Sequence, residues 1–561
     1  MRICMKVLIV TEKYHPSIDQ RDGGANVVNT IKFFLKNSCH IMQFSQNDKR
    51  GTAEYHYSYP HKRNNRFERR LANRAFIGEK IQKISSKYEM VIYIHLSMQF
   101  GLEMFPLQKG IKIWTFPMFL TPSYRQSGER VSNKYFEAEK RALALSYGIV
   151  TPSPFEKRQL YNIYGVSEKK IFMIPRGINS VFISKNNRYL SSDLHFCSVG
   201  SIKPQKNTLE LIYLFNVFQK EFTCADLILI GPIQDFKYSE IVMKKIKELN
   251  LEKKIKVKGF IEPKQLPKEL SKCHFHLSTS RCETFGRSIF ETLALGIPNI
   301  VFQGNRAAQD FLSNLPYIRF VHNKRTAIKN IKDIMKFYNT FSSMSEEIGE
   351  LYSDDFLGSL LIATLLGKEA VGICDFDGTL FHKNDEQKTY RSLHAFQRFP
   401  LRIICTARPL SSLLSEITYY QLEVDWIIAN SGAIIADGFG SIKKSIPLGK
   451  LEFGYLEKKI KHVCTDKNRI QVAIPKDIAP NIPFLRKEIY EETAYYNHWK
   501  ASKLNAICWL LKEIKWNGRV VLYGDGKYDE EMITYFDGRR IKSLPSVMGE
   551  QKEVNYVGFY L

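Results

Sequence analysis

STSRCETFGRSIFETLALGIPNIV, residues 278–301, holds the end of one strand, a loop, a helix and the start of a second strand. The strand is FHLSTS (275–280), Phe285-Gly286 opens the helix, and Gly296-Ile297-Pro298 leads out of it. A strand that feeds a helix that feeds a strand belongs to a parallel sheet covered on both faces. Ligands of such sheets sit outside the carboxyl ends of the strands. Glu283 ends the loop and Glu291 lies about one turn inside the helix, with seven residues between them. Free amides at the helix start favour a phosphate. Carboxylates accept hydrogen bonds from paired hydroxyls, so Glu291 suits a ribose and Glu283 a sugar beyond the phosphates. Two glutamates on an ordinary surface helix would share this spacing; the strand–loop–FG–helix–GIP context favours binding.

The same alternation continues in both directions. Upstream lie KVLIV (6–10), MVIYIH (90–95), IKIWTF (111–116), GIVTPS (148–153), FCSVG (196–200), LILIG (227–231) and IKVKGF (255–260). Downstream lie AVGICDFDG (370–378), RIICTA (402–407), DWIIANSG (425–432) and RVVLYGDG (519–526). Stretches with helical spacing separate them. The 561 residues suit about three to five domains. Boundaries are expected near 182, after IPRGIN (174–179), and near 368, after a helical stretch over 346–366. The expected division is 1–182, 183–367 and 368–561, each a doubly wound α/β unit.

Composition narrows the class. At 44% hydrophobic and 25% charged the chain is an ordinary globular protein, not a disordered, collagenous or coiled-coil one. Its longest apolar run, Leu360 to Leu366, is far below the ~20 residues that span a bilayer. Lys and Arg number 82 against 57 Asp and Glu, a net +25, which favours anionic partners. The ten cysteines form no CxxC pair, so buried thiols in a reducing compartment are expected rather than disulfides or zinc. The N-terminus reads as a strand over 6–11 rather than a signal peptide. A cytoplasmic protein follows.

The first 350 residues resemble family-four retaining glycosyltransferases of the two-domain GT-B fold. The resemblance rests on HPSIDQRDGGANVVNTIKFFLKN (15–37), VTPSPFEKRQLYNIYGVSEKKIFMIPRGIN (150–179), FCSVGSIKPQKNTLELI (196–212) and the 278–301 segment, in that order. It implies a nucleotide-sugar donor in the cleft and front-face transfer with retention. It further implies that Gly24 lets backbone approach the donor diphosphate, Lys206 binds its oxygens, Glu283 grips the donor sugar and Glu291 the ribose. Phe285, Gly286 and Arg287 are placed at the phosphate by the same motif. The family's arginine after the strand glycine is replaced here by Ser201, and Lys203 or Arg287 is expected to restore the charge. The histidine common near the acceptor is absent from WTFPMF (114–119). His95 is the candidate in its place, with a structural role as the alternative.

The last third carries a different constellation. ICDFDGTLF (373–381) sets Asp375 and Asp377 just past a strand, two residues apart and so on one side. ICTARP (404–409) gives Thr406, SKLNAICWLLKEI (502–514) gives Lys503, and YGDGKYDEEM (523–532) gives Asp525 and Asp529. Four carboxylates at one sheet edge need a cation, and hard oxygen ligands suit Mg²⁺. Asp375 is then a nucleophile towards phosphorus, Asp377 an acid and base, Thr406 and Lys503 holders of the phosphoryl oxygens, and Asp375, Asp377, Asp525 and Asp529 the metal set. Each residue alone is mundane. Their order resembles the haloacid dehalogenase superfamily, closest to its sucrose-phosphate and trehalose-phosphate phosphatase branches. That resemblance implies a small cap, about 437–499, inserted in the third unit.

HKRNNRFERRLANR (61–74) holds six Lys or Arg against one Glu. An anionic acceptor or an anionic membrane surface at the inner face is its expected partner, a solvated helix face the plain alternative. No nucleic-acid motif is present. The combined expectation is a bifunctional enzyme that glycosylates a sugar phosphate and then dephosphorylates the product. The alternatives are a polysaccharide or glycolipid glycosyltransferase whose phosphatase acts on a separate precursor, or a third unit that is a silent interaction module.

Overall fold

The computed structural model describes residues 5–12, 14, 23–45, 53–183, 190, 193–222, 224–302, 304–313, 315, 317–336, 338, 345–449, 453–454, 456–457, 464–465, 469–482, 485–490 and 492–540. The chain divides into two compact units, Met1–Ile362 and Ala363–Leu561.

The first unit is built on two parallel sheets. One has seven strands in the spatial order Tyr55–Ser58, Cys39–Ser45, Val7–Thr11, Met90–Ile94, Lys112–Phe116, Gly148–Thr151, Ile171–Met173. VLIVT and MVIYI are buried at every position, as strands with helices on both faces must be. The order reverses between Val7–Thr11 and Met90–Ile94, which pair in parallel. A crevice opens beyond their carboxyl ends. The second sheet has six strands: Ile255–Gly259, Asp226–Ile230, His195–Val199, Phe275–Ser278, Asn299–Phe302, Ile318–Val321. All its pairings are parallel. Its reversal falls between His195–Val199 and Phe275–Ser278, so the loops carrying Gly200 to Lys206 and Glu283 to Gly286 leave the same edge. The two sheets are Rossmann-like and fit the GT-B arrangement.

The helical stretch expected over 346–366 is two helices, Ser345–Leu351 and Asp354–Leu366. The break has a cause. Tyr352 C=O accepts from Ile178 N–H (2.7 Å), and Asp354 N–H donates to Ile178 C=O (3.1 Å). A strand-like bridge, Ile178 with Ser353, takes the backbone groups that a continuous helix would need.

The second unit has a seven-stranded sheet: Ile442–Ser445, Ile434–Asp437, Trp426–Ala429, Leu401–Cys405, Ala370–Cys374, Arg519–Gly524, Arg539–Arg540. The five strands from Trp426–Ala429 onward are parallel. Ile434–Asp437 and Ile442–Ser445 add antiparallel. A separate antiparallel sheet holds Cys464–Thr465, Gln471–Pro475, Thr493–His498 and Leu485–Tyr490. Its apolar face packs Val472, Ile474, Ala494 and Tyr496 against Leu448, Phe453 and Leu456. The residues expected to begin the cap, from about 437, therefore include a hairpin strand of the main sheet, and the small sheet starts later. Cys39, Cys197, Cys273, Cys282, Cys374, Cys405 and Cys508 are free and buried, and Cys224 is free and exposed. No described helix is long and apolar enough to cross a membrane.

Candidate active sites

In the first unit, the loops at the carboxyl edges of the two sheets enclose a cleft of about 690 Å³. Gly24, His95, Lys203, Lys206, Glu283, Phe285, Gly286, Arg287 and Glu291 all line it. Helix Arg287–Ala294 begins at Gly286, whose φ is +85° and which offers no side-chain cap. A Cβ there would meet Asn305 Nδ2 at 2.3 Å, so both the left-handed backbone and the space demand glycine. Uncapped amides at a helix start favour an anion.

Two cations of this cleft are matched to carboxylates of the same motifs. Lys206 Nζ lies 2.5 Å from Glu283 Oε1. Arg287 Nε lies 2.9 Å from Glu291 Oε1, so one of the two residues expected to replace the missing charge is committed to its helix neighbour. Glu291 is buried. Burial raises its pKa, Arg287 opposes that, and Asp354 adds to it. Phe285 is a packing residue: its ring is buried, stacked 4.2 Å from that of Phe290. Gly24 opens helix Gly23–Leu35 with its neighbour; residues 15–22 of the expected glycine loop lie outside the described residues.

The opposite wall holds a cluster that sequence reasoning missed. Glu12, one residue past strand Val7–Thr11, accepts from Arg70 Nε (3.1 Å), Arg70 Nη2 (2.6 Å) and Tyr59 Oη (3.0 Å). Burial alone would raise its pKa, but Arg70, with His95 and Tyr59, holds it well below the usual carboxylate range. His95 has φ +83°; its Nδ1 is 2.9 Å from Ser97 Oγ and its Nε2 3.3 Å from Tyr124 Oη. Arg66 pairs with Glu129 and lies over the Phe67 and Tyr124 rings, 4.9 Å from each. The basic run 61–74 is thus split by helix Arg66–Ala72, whose buried residues are Phe67 and Arg70. Two of its six cations line the cleft.

In the second unit, Asp375 follows strand Ala370–Cys374 and Lys503 opens helix Lys503–Glu513. Lys503 Nζ donates to Asp375 Oδ1 and Asp529 Oδ1, both at 2.6 Å, and all three are buried. Asp529 Oδ2 also accepts from Gly526 N–H at 3.0 Å. Burial, then Asp529, raise the pKa of Asp375 while Lys503 opposes them. Asp375, Asp525 and Asp529 offer ligand atoms within 4.8 Å of one another. Three carboxylates around one point suit a hard divalent cation such as Mg²⁺. Gly378, at φ +76°, makes room for this: a Cβ there would lie 1.8 Å from Asp525 Oδ2.

Asp377 departs from the expected metal set. Its carboxylate is gripped by Arg408, with Nε at 2.8 and 3.0 Å and Nη2 at 2.6 Å, and is not among the three clustered carboxylates. Arg408 is itself held by Glu416 (3.0 Å) and lies over the Phe376 and Phe381 rings. Arg408 stands in the quoted ICTARP motif, two residues past Thr406, and its partner is 31 residues away. Thr406 is buried, and its Oγ1 accepts from Arg408 N–H at 3.1 Å.

Residues 23–181 match the family model Glycosyltransferase Family 4, and residues 182–348 match Glycosyl transferases group 1. Among solved structures, the chain is similar to sucrose-phosphate synthase from Thermosynechococcus elongatus. Identity is 15% and the TM-score 0.53, over 64% of this chain and 98% of that one. It is similar to Anabaena Alr3699/HepE, a structure in complex with UDP-glucose, at 14% identity and TM-score 0.51, over 65% of this chain and 100% of that one. WaaG, a glycosyltransferase involved in lipopolysaccharide biosynthesis, gives 11% and 0.50, over 63% and 98%. At these identities the structures speak to fold. No curated protein sequence matches the chain.

Proposed function

We propose, from the premise that residues 23–348 are group 1 and family-four glycosyltransferase domains, that the chain is a two-activity enzyme. Its first activity transfers a sugar from a nucleotide donor, with retention, to a phosphorylated sugar. Its second removes the phosphate from that product with the help of Mg²⁺. The working domains are 1–182, 183–367 and 368–561, with the substrate-choosing cap in about 437–499. The observation that carries the reading is that each compact unit has its own centre of ionisable groups beyond the carboxyl ends of a doubly wound sheet.

In the first centre, the uncapped amides at Gly286 and Arg287, with Lys206, hold the donor diphosphate, which Gly24 lets backbone approach. Glu291 accepts from the ribose and Glu283 from the transferred sugar. UDP-glucose, present with the similar HepE structure, is the first donor to try. The acceptor O–H bond breaks as its oxygen bonds the sugar carbon. The sugar–phosphate bond breaks, and the departing phosphate takes the proton. Protein groups orient the partners and stabilise the leaving charge. Of the two partners expected for 61–74, an anionic acceptor fits best, because Arg66 and Arg70 line the cleft. His95, held by Ser97 and Tyr124, stands on the acceptor side.

In the second centre, Asp375 attacks phosphorus and forms an aspartyl phosphate as the P–O bond to the sugar breaks. Asp377, protonated once released from Arg408, gives that proton to the leaving sugar oxygen; as a carboxylate it then takes a proton from the water whose oxygen bonds phosphorus as the P–O bond to Asp375 breaks, which frees inorganic phosphate and restores Asp375. Thr406 and Lys503 hold phosphoryl oxygens. Mg²⁺ held by Asp375, Asp525 and Asp529 would neutralise charge on the phosphate.

The test uses Asp375→Asn, which keeps shape and removes the nucleophile. Supplied with a nucleotide sugar and candidate sugar phosphates, the variant accumulates a phosphorylated glycoside. The intact enzyme releases the dephosphorylated glycoside and inorganic phosphate one to one. Mass spectrometry distinguishes them. Identical unphosphorylated products from both proteins would refute sequential action.

A further inference from the structure

The cleft's cations differ in how their charge is met. Lys206, Arg287, Arg70 and Arg66 each hold a carboxylate, on Glu283, Glu291, Glu12 and Glu129. Lys203 is built differently. Among the described residues, no carboxylate forms an ion pair with it within 4.0 Å. It is half-buried in extended backbone (φ −162°, ψ 161°), just before the short turn Pro204–Lys206. Its C=O accepts from Lys206 N–H at 3.0 Å, so two lysines leave one turn. Both line the cleft beside Gly200 and Ser201.

We propose that Lys203 is a phosphate ligand of this cleft, joining Lys206 on the diphosphate of the donor. The inference rests on the nucleotide-sugar reading above and adds a residue and a proton to it. A cation withdrawn from water among like charges is costly to hold until an anion arrives. Burial, then the charges of Lys206 and Arg66, bring the Lys203 pKa down to about 8, with Glu283 and Glu129 pulling the other way. Those four are the charged groups with the largest effect on it. An empty cleft near pH 8 therefore holds a Lys203 that is only partly protonated. A diphosphate beside it favours the charged form, so binding takes up a proton. Affinity then falls as pH rises above about 8, because Lys203 must be recharged first.

The choice of diphosphate over the acceptor's phosphate comes from the shared turn. Lys206 stands beside the sugar-nucleotide carboxylates Glu283 and Glu291, and Lys203 is three residues away.

The experiment is calorimetric titration of the full-length protein with UDP, GDP and ADP, in two buffers of different protonation enthalpy, at pH 7.0 and 8.5. Wild type should take up about 0.7 proton per diphosphate bound at pH 8.5 and bind more weakly there than at pH 7.0. Lys203→Met should weaken binding at pH 7.0 by at least about tenfold, the scale of one charge-assisted hydrogen bond, and abolish the proton uptake. Lys203→Arg should keep tight binding at both pH values with no uptake. A diphosphate bound equally by wild type and Lys203→Met, or uptake that persists in Lys203→Arg, overturns this inference alone. Failure of wild type to bind any of the three overturns the donor reading itself, and this inference with it.

Discussion

Glu12→Gln tests the buried Glu12–Arg70 pair of the cleft. Arg70 gives Glu12 two bonds, at 2.6 and 3.1 Å, and its side chain is only 8% exposed against 14% for Glu12. Its guanidinium also donates to a neutral group, Tyr135 Oη at 3.3 Å. Gln keeps an oxygen for one of the bonds and loses the charge, leaving a buried guanidinium uncompensated. Breaking one side of a buried pair costs about 3–5 kcal/mol, and the retained acceptor puts Glu12→Gln near the low end. Removing both charges, with Arg70→Met added, should be better tolerated than either single change, with a coupling energy of about 2 kcal/mol. The readout is amide hydrogen exchange, by mass spectrometry, at strands Val7–Thr11 and Met90–Ile94, which reports this unit alone. A loss of about 3 kcal/mol speeds exchange through global opening about 150-fold. The pH sign follows from the depressed pKa of Glu12. Its contribution is complete above the ordinary carboxylate range, near pH 4.5, and is lost as pH falls towards the folded-state value; Glu12→Gln should lack that acid-side loss. Exchange at these strands unchanged by Glu12→Gln, or a double variant as unstable as the two singles summed, would refute the reasoning.

Two further changes separate the two centres. Gly378→Ala sets a Cβ 1.8 Å from Asp525 Oδ2 at a φ of +76°; with about 1–2 kcal/mol of backbone strain alone, phosphatase turnover should fall at least about tenfold while sugar transfer holds, and equal turnover would show that Asp525 need not stand there. Glu291→Gln should raise the donor KM about tenfold through a lost charged hydrogen bond and leave phosphate release untouched; a parallel loss of both activities in folded protein would contradict separate sites.

Much of both centres was legible because each residue sits at a fixed offset from a strand end. Asp375 and Asp525 follow apolar runs directly, and Lys206, Glu283 and Glu291 sit in loops and a helix with unmistakable punctuation. The missed residues are those whose role depends on what folds against them. Arg70 reads as one cation in a basic run. Its burial follows from sharing a helix face with Phe67, three residues away, and from Glu12, 58 residues away. Arg408 was in plain view in ICTARP, yet its capture of Asp377 needs two strand ends to be neighbours in the sheet. The edge of the main sheet was not legible for a related reason. Ile434–Asp437 and Ile442–Ser445 are short and turn-bounded, and only the pairing of the first to Trp426–Ala429 and of the second to the first assigns them to the main sheet.

The pairing of Lys206 with Glu283 and of Arg287 with Glu291 gives each of these cleft groups a partner within the protein. Each pair is a lock with two levers. Phosphate or sulfate can draw away the cation but strands a carboxylate, and a neutral sugar can satisfy the carboxylate but leaves the cation in place. A nucleotide sugar carries oxyanions and hydroxyls on one frame, so it can open both pairs together and leave no charge abandoned. On the proposed reading, discrimination against the simple anions and free sugars that crowd a cell would then rest on these two pairs, before any substrate touches the reacting carbon.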